Sequence, residues 1–600
     1  MTITTLTAMR AFALALTLAL TLGAAHFTAA RAFAAGVDLG VVATAPLRHT
    51  AAPVTTTIRI DFDRPLNTST ITASSFRVFG RWSGTKSGAF AFSNANQRVT
   101  FTPNTPFSAG EFVFVNLANT IAAADATPLR SAGFAFAFRT ITAPSDLVFA
   151  AADTLSNRIT PDEQTRIYGA SASDLDEDGF LDLTTINEVS ADVRVFLNRG
   201  DGSGLYENFL TPQDIGFEAS PNEPVDFNND GHSDLCTAAT SSENIYVLLG
   251  AGDGTFASTQ AIATGNAPYG IAPLDVDGDG DLDIVNACNS SNNLALFINN
   301  GAGVFGAATF FEGGVNGEYG LVAADMNNDG ISDLVVAGRN GQQIATRLGN
   351  GNGTFSAAGA AQASGGFTWV IAVDDLNGDG DLDVSCANSF SGNGSILLGN
   401  GDGTFAAATI TNVGAHLPST DLADVDGDGD VDWLLSSFGG GFWRLYTNNG
   451  AGVFAFNQDF LAPANPSCAV IYDSDNDGDV DFALTDEIAD VIVLQKNLGA
   501  GSNVGAAPVG GLRAFASPNP FRDGTRLRFA LPRAASLRLE IFDTAGRRVR
   551  AQDLAALPAG WQEHRFDGRN ENGERLASGT YLYRLRGADN EIAGRFSIVR

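Results

Sequence analysis

Histidine is scarce in this chain: four of its five, His49, His232, His416 and His564, lie beyond the N-terminal segment, and neither a GxSxG elbow nor an HExxH helix occurs. Hydrolase chemistry of those kinds therefore lacks its residues. The four cysteines, Cys236, Cys288, Cys386 and Cys468, form no CxxC pair, which argues against a zinc framework and points to buried strand thiols. Basic residues are few, 35 against 67 acidic ones, for a formal charge of −32. Such a surface repels phosphate, so nucleic acid is not expected as a partner. After the first 35 residues no run is long and apolar enough to span a bilayer, where about 20 residues are needed, and no transmembrane segment is expected in the mature chain.

What the chain does have is apolar content, 44%, with 67 glycines. That is too apolar for disorder and rich in tight turns, and 600 residues imply several domains or a repeat array. Met1 to Arg10 is short with one positive charge, Ala11 to Ala25 is apolar, and Ala32-Phe33-Ala34 supplies small residues for cleavage. Residues 1–34 read as a secretory signal peptide, placing the mature protein outside the cell or on its surface. Charge is uneven: residues 512–600 hold 16 of the basic residues against 10 acids, which marks a domain boundary.

The pattern D-x-[DN]-x-D-G-x-x-D recurs seven times, with starts 49 to 52 residues apart. Its oxygen-bearing positions one, three, five and nine are Asp174, Asp176, Asp178 and Asp182; Asp226, Asn228, Asp230 and Asp234; Asp275, Asp277, Asp279 and Asp283; Asp325, Asn327, Asp329 and Asp333; Asp375, Asn377, Asp379 and Asp383; Asp424, Asp426, Asp428 and Asp432; and Asp473, Asp475, Asp477 and Asp481. Side-chain oxygens at this spacing converge on one point, a cage suited to calcium with its six to eight oxygen ligands. Glycine at position six permits the sharp turn. Up to seven calcium ions are expected, more weakly held where Asn228, Asn327 and Asn377 replace a carboxylate.

An EF-hand needs a glutamate at position twelve and flanking helices. Position twelve here is Thr185, Thr237, Asn286, Val336, Cys386, Leu435 or Leu484, and strand-like runs follow, so each loop is a hairpin connection. Plain solvated turns are the other alternative. Against it, the seven loops concentrate 30 of the 67 acidic residues in 63 positions, which would be self-repulsive without cations.

Each unit of about fifty residues reads as four strands, with a glycine turn such as Asn400-Gly401-Asp402-Gly403-Thr404-Phe405 between the third and fourth. Acidic loop and glycine turn together resemble the FG-GAP, or VCBS, repeat of integrin-α-type propellers over residues 143–503. The last unit ends at Ala500 without a phenylalanine strand, and Leu147-Val148-Phe149-Ala150 is available to close the ring. Residues 37–141 alternate apolar and polar side chains, as in Thr57-Ile58-Arg59-Ile60-Asp61-Phe62, and resemble bacterial Ig-like domains. After a linker at 504–511, residues 512–600 resemble the C-terminal Ig-like domain of hook-capping proteins and type IX sorting domains, through Pro518-Asn519-Pro520-Phe521, Phe542-Asp543-Thr544-Ala545-Gly546-Arg547 and Ser578-Gly579-Thr580-Tyr581. The expected fold is all-β: a seven-bladed propeller flanked by two Ig-like sandwiches. The last domain would direct sorting or attachment, or serve only as a sandwich.

Six residues before the loop start stand Tyr168, Tyr269, Tyr319 and Trp369. The consecutive three, Tyr269, Tyr319 and Trp369, form either an arc for stacking on a ligand or packing between blades. Arg199-Gly200-Asp201 occupies the glycine turn of its unit and reads as ordinary variation there. The leading expectation is a calcium-dependent adhesion or ligand-binding module for an extracellular protein or glycan, with no catalytic residues assigned. A carbohydrate-active enzyme or glycan-binding component, and a structural surface-layer component, are the alternatives.

Overall fold

The computed structural model describes residues 38–500, 513–517, 525–531, 535–544, 546–557, 560–587 and 591–598. The predicted signal peptide and the 504–511 linker lie outside them, as does Pro518-Asn519-Pro520-Phe521.

Seven antiparallel sheets of mostly four strands follow one another along the chain, each beginning with an inner strand, Ile167–Ser173 in blade 1 and Pro466–Tyr472 in blade 7. Inner strands of consecutive blades adjoin, and that of blade 7 adjoins that of blade 1, so the ring is closed. Closure uses an early strand: Phe149–Ser156 pairs with Val491–Asn497 as the outer strand of blade 7. Phe149 stacks on Phe482 at 4.6 Å and meets Phe460 edge-on at 5.1 Å. The last blade thus takes its fourth strand from the chain before the first, which covers the outer edge of Val491–Asn497 and ties the two ends of the ring together.

The second strand of every blade is buried along its whole length, from Asp182–Asn187 in blade 1 to Asp481–Asp486 in blade 7. Neighbouring blades cover both faces of it, which is why these strands are near-continuous in small and apolar residues such as Leu334, Val335 and Val336. Cys236, Cys288 and Cys386 sit within them as buried free thiols, and Cys468 is a half-buried one on an inner strand.

The N-terminal domain packs a four-stranded sheet against a five-stranded one around Ile58, Ile60, Phe76, Phe101 and Phe138. In the C-terminal domain, three- and four-stranded sheets enclose Leu539, Ile541, Tyr583 and Phe596. No described helix is long and apolar enough to cross a membrane.

Candidate metal centres and the opposite face

All seven acidic loops join an inner strand to the second strand and therefore lie at one face of the ring. Their local conformation explains their composition. In every loop the position-one aspartate accepts the backbone N–H of the position-six glycine, as Asp174 does from Gly179 at 3.2 Å and Asp375 from Gly380 at 2.8 Å. That glycine has positive φ in each case, 79° to 97°, a region where other residues are strained. Position four is left-handed too, at Glu177, Asn229, Gly278, Asn328, Gly378, Gly427 and Asn476, a requirement the repeat pattern alone did not reveal.

The position-nine aspartates do more than complete a cage. Each is the buried first residue of a second strand, and its two oxygens accept separate backbone N–H groups. Asp283 takes Val276 at 3.0 Å and Asn299 at 2.8 Å, tying the loop to the glycine turn. The same pair of bonds recurs in the other six blades. Burial pushes these carboxyls up, Asp182, Asp283 and Asp432 to about 8.

Three-carboxylate groups close enough to share one ion occur among the described residues at Asp174, Asp176 and Asp182; Asp275, Asp277 and Asp279; Asp424, Asp426 and Asp432; and Asp473, Asp475 and Asp481. These are the loops with four aspartates at the predicted positions; the Asn228, Asn327 and Asn377 loops bring no such group together. Buried carboxylate oxygens without a hydrogen-bond partner point to the same function: Oδ1 of Asp174, Asp226, Asp424 and Asp475. An oxygen-only set with unspent lone pairs suits a hard cation. Burial first, then Asp178 and Asp176, raise Asp174 to about 7, so a cation would displace a proton there at neutral pH.

The N-terminal domain docks on this same face. Trp82 packs into the core shared by blades 1 and 7, and its carbonyl accepts the Asp174 N–H at 2.9 Å. Thr85 donates to Asp226 at 2.8 Å and Asn116 to Asp275 at 3.0 Å. Arg77 pairs with Asp281 at 2.7 Å, and Arg139 with Asp374 at 3.2 Å. Loop 4 is distinct. Arg48 pairs with Asp325 at 2.9 Å, and with Gly330 and Asp329 donating as well, both Asp325 oxygens are engaged. In loop 7, Lys496 pairs with Asp475. A cavity of about 1510 Å³ lies between the docked domain and the inner strands, lined by residues of both.

At the far end of the channel the aromatic series comes together. Tyr269 stacks on Tyr319 at 3.9 Å and Tyr319 on Trp369 at 5.5 Å, while Tyr168 and Tyr319 share a hydrogen bond from blades three apart. Tyr319 and Trp369 are buried, so the rings pack between blades and also border the cavity. Arg199 pairs with Glu207 at 3.3 Å within its own turn.

Family models match along most of this architecture. The bacterial Ig-like domain model matches residues 37–140, the FlgD Ig-like domain model residues 517–591, and the FG-GAP-like repeat model five overlapping stretches, 226–286, 275–336, 325–384, 375–435 and 424–484. The chain carries five FG-GAP-like repeats between an N-terminal bacterial Ig-like domain and a C-terminal FlgD Ig-like domain. FG-GAP-like repeats with Ig-like flanks fit an extracellular or surface protein. No curated protein matches the chain. Among solved structures, BBS1N in complex with ARL6DN is 12% identical, covering 59% of this chain and 99% of that one at a TM-score of 0.41. An Agrocybe aegerita lectin that recognises non-reducing terminal N-acetylglucosamine is 18% identical, covering 66% and 93% at 0.33. Likenesses this loose carry nothing about ligand or activity.

Proposed function

We propose that this is a calcium-binding propeller of the cell exterior that works as an adhesion or ligand-binding module, with metal at one face and ligand at the other. The observation that carries the reading is the recurrence of one loop geometry in seven blades, with buried carboxylate oxygens left unpaired in several of them. Asp174, Asp176 and Asp182 would hold one ion, and Asp275, Asp277 and Asp279 in loop 3, Asp424, Asp426 and Asp432 in loop 6, and Asp473, Asp475 and Asp481 in loop 7 would hold others. The ion supplies charge compensation and fixes the hairpin.

The ring needs that compensation, because loops adjoin around it. The position-four side chains reach the next blade, Asn229 to Asp281 at 3.0 Å and Asn328 to Asp381 at 2.9 Å, and Asn476 closes the circuit onto the Gly179 carbonyl at 2.7 Å. A cation at a hundred times its dissociation constant would add about 2.7 kcal/mol per site to the folded state. With the N-terminal domain seated over the acidic loops, ligand is left the opposite face. Titration calorimetry of chelator-treated protein, wild type against Asp424→Ala, tests the metal half: the variant should lose one tight site, and unchanged stoichiometry would refute it.

A further inference from the structure

The face opposite the acidic loops is chemically divided. In blades 7, 1 and 2 its loops carry acids, among them Glu188, Glu218, Glu487 and Asp490. In blades 4 to 6 the corresponding segments, 339–342, 364–367, 389–392, 413–419, 438–441 and 462–465, contain no aspartate or glutamate. Instead they bring together Arg339, Phe367, Phe390, His416 and Phe438 around Trp369. Phe390 is 59% exposed and Phe367 37%, although each contacts other rings: Phe390 meets Trp369 edge-on at 5.5 Å and His416 at 5.2 Å.

Arg339 is the centre of this patch. Its guanidinium lies 5.3 Å from the Tyr319 ring centre, 5.1 Å from Trp369 and 5.5 Å from Phe390. It has no acidic partner among the described residues, in contrast to Arg166, Arg158 and Arg444. Glu318, the acid nearest in sequence to Tyr319, lies by Arg347. Its guanidinium N–H groups make no hydrogen bond among the described residues, which leaves them for a planar anion. Two further polar atoms here have no hydrogen-bond partner, Nε1 of Trp369, whose side chain is 9% exposed, and Nε2 of His416. Buried polar groups are ordinarily paired, and an unpaired one costs free energy.

We propose that this patch binds a carboxylate-bearing sugar, a uronate unit of an acidic polysaccharide. The Arg339 N–H edge takes the carboxylate, Phe390 takes the apolar C–H face of the ring, and the unpaired Trp369 and His416 nitrogens are available to hydroxyls. The acid-free surroundings let an anion approach this sector of a chain whose overall charge is negative, while the acids of blades 7, 1 and 2 repel it from theirs. This rests on the reading of the free face as the ligand face and adds the chemistry of what it takes.

The test uses the mature full-length protein in calcium, with oligogalacturonates, their carboxyl-reduced neutral counterparts and an acidic peptide as probes, and wild type beside Arg339→Gln and Phe390→Ala. Melting temperature controls for folding. The expected result is binding of the acidic oligosaccharide, weakened about tenfold or more by R339Q, with the residual binding to neutral oligosaccharide unaffected by R339Q but weakened by F390A. Equal affinity for acidic and neutral oligosaccharides, or no effect of R339Q, overturns the carboxylate assignment. Phe390-dependent capture of the peptide with no sugar binding overturns the sugar and leaves the ligand face standing. If no probe binds in a Phe390-dependent way, both fail.

Discussion

Arg48 of the N-terminal domain donates to Asp325, the first ligand position of the fourth acidic loop, across 277 residues of sequence and 2.9 Å of space. Asp325 is nearly fully buried; burial raises its carboxyl to about 6, against the pull of Arg48. Arg48 thus sets a built-in cation against the first-position carboxylate of this loop, where a bound ion would otherwise supply the charge. Loop 4 should be the last of the seven to take calcium, and Arg48→Gln should add one site or tighten the weakest. Calorimetric stoichiometry of the two proteins reads this directly; identical titrations would contradict it.

The loops with asparagine at position three, around Asn228, Asn327 and Asn377, should contribute less calcium-dependent stability than the four-aspartate loops. Asp424→Ala should therefore lower the calcium-induced rise in melting temperature more than Asp375→Ala. The reverse order would remove the ranking.

Ring closure rests on Phe149 against Phe482 and Phe460. Phe149→Ala should cost about 2–3 kcal/mol, below the full price of a core phenylalanine because the ring is half exposed. Denaturant melts followed by tryptophan fluorescence measure it.

Gly278 and Gly378 occupy the same loop position with the same left-handed backbone, φ 78° and 73°. A side chain at Gly278 would stand 2.4 Å from the Ser131 carbonyl of the docked domain, whereas at Gly378 the nearest atom is 3.9 Å away. Asparagine suits this backbone at other blades, so Gly278→Asn should cost about 1–3 kcal/mol through crowding and Gly378→Asn less than about 0.5 kcal/mol. Paired melts with limited proteolysis of the N-terminal domain separate the two.

His49 of the N-terminal domain lies buried beside Asn328 of loop 4, where burial and then Arg48 lower it from 6.5 to about 4. The unfolded chain binds this proton below pH 6.5 and the folded one does not until about 4, so stability is lost as pH falls through that window. The loss reaches about 3 kcal/mol for this group. His49→Asn keeps a residue tolerant of its φ of 59° and should erase that component. The wild-type melting temperature should fall relative to the variant between pH 6.5 and 4.

The blade count, the acidic loops and the closing strand near Phe149 were legible in the sequence because each is set by local spacing. The repeat announces where a hairpin turns and which strand lacks a partner. Three features were not legible. Arg48 with Asp325, and Asn116 with Asp275, are contacts between distant segments that no periodicity marks. The left-handed position four is filled by Glu177 in one blade and by asparagine or glycine in others, so its conformational demand is hidden by varied composition. The Arg339 patch draws its members from different offsets in blades 4 to 6. The aromatics six residues before four of the loops pointed to its edge, but exposed Phe390 in a Ser-Phe-Ser hairpin was the sharper signal.

The central claim is that the acidic loops are calcium sites that hold the ring together. Equilibrium dialysis of chelator-stripped protein against calcium, with melting temperature followed in parallel, tests it most directly. The account predicts at least four bound ions, one for each three-carboxylate group, and a melting temperature that climbs with occupancy. No bound calcium, or binding that leaves the melting temperature unchanged, would contradict it.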